Sequence, residues 1–328
     1  MKIILVTDAW EPQVNGVVYT LKNVVNNITD HEVFVLHPSV EGSVTLFNLY
    51  YNIPILKNPF EVVRNYFGEQ KPDRVHIATE GSLGLSARYY CKKYGIKFNT
   101  SYHTQLADYG WLLYKVPRFI TNLFIRWFHS ASGRVLVTTK SIEKQLNFKN
   151  SVVWARGVDA SLFNNYSRSA NVRGNTLIFV GRVSKDKNLD DFCSIEGYKK
   201  ILVGDGPYLS TLKKHYPDVE YTGFIDHKEL VNWYNKAGVF VFPSKFDTYG
   251  LVMLEAMACG LPVVAYDVPS PCDVVENGVT GYLGDNLTKS IEKVFADYTN
   301  LSNNAQKFAK SKSWKSISDQ FVSHLVNI

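Results

Sequence analysis

Short apolar runs recur along the chain, each followed by a turn and then by a segment whose apolar residues return every three or four positions. In the first half the runs are Ile3–Val6, Val33–Leu36, Arg74–Ile77, Lys97–Ser101 and Val135–Thr138. Helix-like segments separate them, among them Val17–Ile28, Gly84–Tyr94 and Pro117–Ser130. The second half restarts the pattern with Thr176–Val180, Lys200–Val203, Gly238–Phe242, Pro262–Ala265 and Gly281–Leu283. Continuous apolar strands alternating with helices predict parallel sheets covered on both faces. The 328 residues suit two domains, because one core rarely grows that large. Between the two series lies VVWARGVDASLFNNYSRSANVRGN, a polar stretch read as the interdomain linker. The expected organisation is two doubly wound α/β domains, residues 1–155 and 156–311, facing across a cleft, with ligands at the C-terminal ends of the strands. In the last segment, 312–328, Trp314, Ile317, Phe321 and Leu325 share one helical face, which suits a helix packing back on the first domain.

Composition narrows the class. The hydrophobic fraction of 45% supports globular domains, and no run is long enough to span a membrane or serve as a signal segment. Cys91, Cys193, Cys259 and Cys272 are scattered and form no CxxC, which argues for a reducing, cytoplasmic setting rather than a disulfide framework or zinc site. Charge is uneven. Residues 1–155 carry 17 Lys+Arg against 11 Asp+Glu, net +6, and residues 156–328 carry 19 against 19, net zero. A basic half favours an anionic partner, such as an acidic lipid surface or a phosphorylated acceptor, although it also serves solubility.

The segment with most chemistry is GVFVFPSKFDTYGLVMLEAMACGLPVVAY, from Gly238 to Tyr266. A helix over Gly250–Cys259 is apolar or small throughout except at Glu255, and a buried carboxylate must be paired or hydrogen-bonded. Asp247 lies on the loop that enters this helix, and Gly250 opens its first turn, where amides attract anions. Carboxylates accept from hydroxyls, so the segment suits a ligand with both phosphate and a vicinal diol. IFVGRVSKDKNLD places Arg182 and Lys187 just past a strand, as a diphosphate would require or as an ordinary basic loop would show. Gly204, in LVGDGP, marks a tight turn. Asn15 and Gly16 occupy the loop after the first strand, where glycine permits close approach of a ligand. His103, in TSYHTQ, follows another strand and could donate to a sugar hydroxyl or phosphate, or be structural. Glu80 could orient a hydroxyl or cap the following helix. The stripe Phe119, Ile120, Leu123, Phe124, Trp127 and Phe128 is expected to face the core, the alternative being a membrane interface.

Taken together, FVGRVSKDKNL, LVGDGP, FVFPSKFDTYGLVMLEAMACGLPVVA and ENGVTGYL resemble, in order and spacing, retaining glycosyltransferase family 4 of the GT-B fold. TDAWEPQVNGVV, TEGSLGLSARYY, TSYHTQ and WARGVD look like its branch of GDP-mannose-dependent α-mannosyltransferases and glycolipid-forming enzymes. The resemblance spans nearly the whole chain. It implies two Rossmann-like domains and transfer of a hexose from a nucleotide diphosphate sugar, GDP-mannose favoured over UDP-glucose, to a hydroxyl of a glycan or glycolipid. It further implies that Arg182 and Lys187 hold the diphosphate, that Glu255 accepts from the ribose, and that Asp247 accepts from the transferred sugar. Amides around Gly250, Leu251 and Val252 would face the donor, Gly16 would close over it, His103 would contact the sugar, and Arg156 would add a cation or fix the hinge. No DxD-type metal motif is present, so neither a metal nor another cofactor is expected, nor is a nucleic-acid partner. Two departures stand out: Asp247 replaces the family's usual glutamate, and the stretch Asp190–Lys199 is shorter than the helix of relatives. A glycoside hydrolase using Asp247 and Glu255 would leave both phosphate-type loops without a purpose. A non-catalytic glycan- or lipid-binding scaffold is the other alternative, and an NAD enzyme would need the absent GxGxxG.

Overall fold

Strand β1 (Lys2–Val6) pairs in parallel with a later strand on each side, and the rest of the first unit is arranged around that choice. The computed structural model describes residues 1–49, 53–164 and 175–326. Its first unit comprises Met1–Arg156 and Trp314–Ile328, and its second Gly157–Ser313.

In the first unit the remaining strands are β2 (Glu32–Leu36), β3 (Thr45–Leu49), β4 (Ile53–Leu56), β5 (Arg74–Ile77), β6 (Phe98–Tyr102), β7 (Val135–Val137) and β8 (Ser151–Val153). They form a six-stranded sheet of order β2-β1-β5-β6-β7-β8, parallel throughout, and a separate antiparallel hairpin β3-β4. Ile3, Ile4, Leu5 and Val6 are all buried, as expected of a central strand covered on both faces. Helices α1 (Gly16–Asn26), α2 (Pro59–Gln70), α3 (Ser82–Tyr94), α4 (Leu106–Tyr114), α5 (Arg118–His129) and α6 (Lys140–Leu146) make the connections.

The C-terminal helix Trp314–Val326 belongs to this unit. Trp314, Ile317, Phe321 and Leu325 are all buried, and Phe321 lies 5.1 Å, centroid to centroid, from the Trp154 ring. Polar bonds fix its register. Trp154 Nε1 donates to the Ile317 carbonyl at 3.1 Å, and Ser318 Oγ donates to the Val24 carbonyl at 3.2 Å.

The second unit repeats the design with β9 (Thr176–Val180), β10 (Lys199–Val203), β11 (Glu220–Gly223), β12 (Val239–Phe242), β13 (Val263–Ala265) and β14 (Gly281–Leu283). Their order is β11-β10-β9-β12-β13-β14, again parallel. The connection from β9 to β10 carries a short 3-10 turn, Lys185–Lys187, and a five-residue α-helix, Leu189–Cys193. One face of the sheet packs on Leu254, Met257 and Leu261, and the other on Leu189, Phe192 and Ile291.

Two expectations need correction. Val152 and Val153 belong to β8, the edge strand of the first sheet, so the chain is still in regular structure where the linker was expected to begin. Residues 165–174 of that stretch lie outside the described residues. The apolar stripe of α5 does not face the core as a whole. Phe128 is fully buried and Phe124 packs on the core, but Phe119, Ile120, Leu123 and Trp127 are exposed by 65%, 48%, 63% and 52%. Periodicity identifies an apolar face; it does not say what covers it.

Candidate functional site

A doubly wound sheet presents its natural binding edge where strand order reverses, because the loops leaving the two central strands diverge there. In the second unit that point lies between β9 and β12. The loop after β9 runs through Gly181, Arg182 and Lys187, and the loop after β12 runs from Pro243 to Gly250. Lys187 Nζ joins them, donating to both carboxylate oxygens of Asp247 at 2.7 and 2.8 Å. Asn188 Nδ2 adds a bond to the Pro243 carbonyl at 3.3 Å. Asp186 stands 3.9 Å from the same ammonium, so a single cation is held between two carboxylates. The two candidates assigned to different parts of a ligand are therefore direct partners.

Gly204 ties the β10 loop into the same edge. A Cβ there would sit 1.9 Å from the Gly181 carbonyl oxygen, and its φ of +140° is a region that side chains rarely enter. Val183 N–H donates to Asp205 O at 2.9 Å and Gly181 N–H to Val203 O at 3.0 Å. Backbone is packed on backbone, and Arg182 projects from that platform, partly exposed.

Gly250 caps the helix Leu251–Ala258 with φ +76° and ψ +66°. Having no side chain, it leaves the first amides, including those of Leu251 and Val252, without the side-chain acceptor that a serine or aspartate would supply. One turn on, Glu255 is 4% exposed. His227 Nε2 lies 2.9 Å from its Oε1, and Tyr234 Oη donates to its Oε2 at 3.0 Å. Burial lowers the His227 pKa, but its hydrogen bond to Glu255 and the carboxylate charge outweigh burial, and the net shift is upward. The sequence gives no local signal for either partner, since they lie 28 and 21 positions from Glu255. Each carboxylate oxygen keeps a second lone-pair direction, so the pairing does not exhaust its capacity to accept.

The candidates of the first unit are arranged differently. Asn15 is the N-cap of α1, its Oδ1 accepting from the amides of Val17 and Val18 at 3.0 Å each, and Gly16 is the exposed first residue of that helix. Glu80 does not cap α3. It pairs with buried His129 at 3.2 Å, and the cap is supplied by Asp8 from the loop after β1. Asp8 accepts from the Leu83 amide at 2.8 Å, the Gly84 amide at 3.3 Å, Thr79 Oγ1 at 2.9 Å and Ser82 Oγ at 3.2 Å. A Cβ on Gly81 would meet Asp8 Cγ at 2.4 Å, so this glycine makes room for the carboxylate.

His103 is buried beside Arg156, which donates to its Nδ1 at 2.9 Å and to the carbonyls of Trp154 and Ala155. Because a guanidinium only donates, His103 carries its proton on Nε2 and presents it to Ser101 Oγ at 2.8 Å. Ser101 is also 3.1 Å from His76 Nε2. Burial, then the Arg156 charge, then His76 hold the His103 pKa well below its usual value; burial and Arg156 push His76 down to about 3. Both rings are neutral. Arg156 thus fixes a histidine tautomer.

Two parallel six-stranded sheets of switched order, the second edged with glycine turns and a clamped cation, define the GT-B class. Residues 14–162 match the family described as Glycosyltransferase Family 4, and residues 165–312 the family described as Glycosyl transferases group 1. The chain is a glycosyltransferase of this family 4 and group 1 type, hence a transferase enzyme. Among curated proteins it is 24% identical over 368 residues to a GDP-mannose-dependent alpha-mannosyltransferase of Corynebacterium glutamicum, covering 100% of this chain and 89% of that one. It is 26% identical over 331 residues to an alpha-monoglucosyldiacylglycerol synthase of Streptococcus pneumoniae, covering 86% and 75%. Among solved structures, Anabaena HepE in complex with UDP and glucose superposes with a TM-score of 0.78 at 17% identity over 100% of both chains.

Proposed function

We propose that the enzyme transfers a hexose, mannose in preference to glucose, from a nucleotide diphosphate sugar to a hydroxyl of a glycan or glycolipid, retaining the α configuration. The observation that carries this reading is the Lys187–Asp247 pair at the β9/β12 switch point. It places a cation and a hydroxyl acceptor side by side, as a bond between a sugar and a phosphate requires.

Cleavage of that bond builds negative charge on the departing diphosphate. Arg182, Lys187 and the Leu251 and Val252 amides are the groups of this unit suited to stabilise it, and such preorganised donors are often the largest catalytic contribution. No metal is needed when fixed cations and amides neutralise the leaving group. Glu255, held by His227 and Tyr234, accepts from the ribose diol. Asp247 accepts from the transferred sugar while its Lys187 contact fixes its orientation. His103 acts in its neutral form, positioned by Arg156 through Nδ1.

The likeness to the corynebacterial enzyme supports GDP-mannose as donor, and the likeness to the pneumococcal synthase supports a lipid-linked acceptor. Purified protein incubated in chelator with GDP-mannose and, separately, UDP-glucose tests this. Nucleoside diphosphate release is expected, fastest from GDP-mannose and lowered at least about a hundredfold in Lys187→Ala. Equal silence with both donors would overturn the reading.

A further inference from the structure

The outward face of α4 and α5 has no role in the reaction described above. On α4, Trp111, Leu112 and Tyr114 are exposed by 45%, 43% and 53%. The exposed residues of α5 continue this surface, while Ile125 and Phe128 anchor the helix from the opposite side. The two helices form a tight hairpin. A Cβ on Gly110 would come within 3.2 Å of Thr121 Oγ1, and Val116 N–H bonds back to the Gly110 carbonyl at 3.1 Å. Arg88 locks the far end, its guanidinium 4.0 Å from the Trp127 ring centroid and donating to the Trp127 and Phe128 carbonyls. A fixed platform therefore presents seven large apolar side chains within 17 residues of sequence, Trp111 to Trp127.

Charge identifies the occupant. Residues 106–129 carry three cations, Lys115, Arg118 and Arg126, against one acid, Asp108, so the hairpin is net +2. Asp108 is itself engaged by Arg118 at 2.9 Å. A second copy docking the same face would bring +2 against +2, an arrangement that like-charge repulsion disfavours. Tryptophan and tyrosine prefer the boundary between headgroups and acyl chains, and flanking cations prefer anionic headgroups. No helix among the described residues is long and apolar enough to cross a membrane, so the contact is one of lying on the surface.

We propose that the α4–α5 hairpin docks on an anionic lipid bilayer, sinking Trp111, Phe119, Leu123 and Trp127 to the headgroup–acyl boundary beneath a ring of Lys115, Arg118 and Arg126. Docking belongs to the first unit alone and does not depend on the hexose-transfer reading. Lys187→Ala, in the second unit, therefore keeps it.

Full-length protein is sedimented with vesicles of phosphatidylcholine alone and of phosphatidylcholine mixed with phosphatidylglycerol. Wild type and Lys187→Ala should bind the mixed vesicles, with partitioning reduced about fivefold for each cation removed by Lys115→Gln or Arg118→Gln. Phe119→Ser with Leu123→Ser should lower it by about tenfold or more, with an unchanged melting temperature because both side chains are exposed. As a measurement on unaltered protein, acyl-brominated lipid should quench tryptophan fluorescence, and Trp111→Phe with Trp127→Phe should remove that quenching. Absence of binding to mixed vesicles, binding unaffected by the serine variants, or a concentration-dependent dimer dissolved by them would each overturn the proposal.

Discussion

Lys187 and Asp247 lie 60 positions apart in sequence, yet the ammonium donates to both oxygens of the carboxylate at 2.7 and 2.8 Å. The pair closes the edge of the second sheet where strand order reverses, so its two members are energetically coupled. Lys187→Ala should lower kcat/KM by about a hundredfold to a thousandfold, as expected for one preorganised donor. Asp247→Asn should cost less in KM for nucleotide than in kcat, because its proposed contact is to the sugar. A double-mutant cycle read by nucleoside diphosphate release should show strong non-additivity. Strict additivity would mean that the contact has no part in turnover.

Glu255 is expected to hold nucleotide and local structure at once. Tyr234→Phe removes a single neutral donor and should cost about 1 kcal/mol of stability. Glu255→Ala removes the carboxylate that accepts from the Tyr234 hydroxyl and pairs with His227, and should cost about 2 to 3 kcal/mol while raising the donor KM. Urea unfolding alongside donor titration checks both effects; a Glu255→Ala protein with wild-type donor affinity would remove the ribose role.

Acid stability follows from the two neutral histidines. His76 and His103 have folded pKa values below the unfolded value near 6.5, chiefly through burial and then through Arg156. The unfolded chain therefore binds protons that the folded chain refuses. Their contribution is complete above pH 6.5 and is lost as pH falls from there towards about 3, at up to about 2.7 kcal/mol per pH unit for the pair. His227 acts in the opposite sense: its stabilisation is complete below 6.5 and is lost as pH rises through its raised pKa. Urea midpoints between about pH 7.5 and about pH 5 should fall towards acid; a flat profile would mean that these rings protonate in place.

Two glycines with positive φ separate conformational strain from steric overlap. At Gly197, φ is +82° and a Cβ would meet nothing within 4 Å, so alanine should cost about 1 to 2 kcal/mol. At Gly204 the Cβ would collide with the Gly181 carbonyl at 1.9 Å, and alanine should cost more than about 3 kcal/mol and disrupt the Arg182 loop. Calorimetry on the two variants distinguishes them. Similar melting temperatures would show that the β9 loop yields easily.

Much of the fold was legible because central strands of parallel sheets are continuous apolar runs. Arg74–Ile77, Thr176–Val180 and Gly281–Leu283 are read with their observed bounds. The missed strands lack that signal. EYTG of β11 is half polar, Ser151–Val153 is three residues merging into a polar stretch, and the β3-β4 hairpin exposes Leu46 and Phe47. Within the candidate site, Glu255 announced itself as a lone charge in an apolar helix. His227 and Tyr234 did not, because their relation to it exists only after β11 and β12 have brought distant segments together. The α5 stripe misled for the converse reason, that its periodicity marks an apolar face without saying whether core or surroundings lie against it, and most of that face is exposed.

The two sheets share a plan but treat the helix start at their switch points in opposite ways. In the first, the Asp8 carboxyl, its pKa raised by burial against the pull of its hydrogen bonds, lies at the start of α3 as a built-in acceptor, filling the place that a phosphate would take. In the second, Gly250 brings no such stand-in. One carboxylate thus breaks the equivalence of two like-built halves, and under the proposed reaction an anionic donor would find its helix start in the half that has not supplied its own acceptor. Asp8→Gly would unplug that start, and the variant should acquire a weak phosphate site in the first unit that the native chain forgoes.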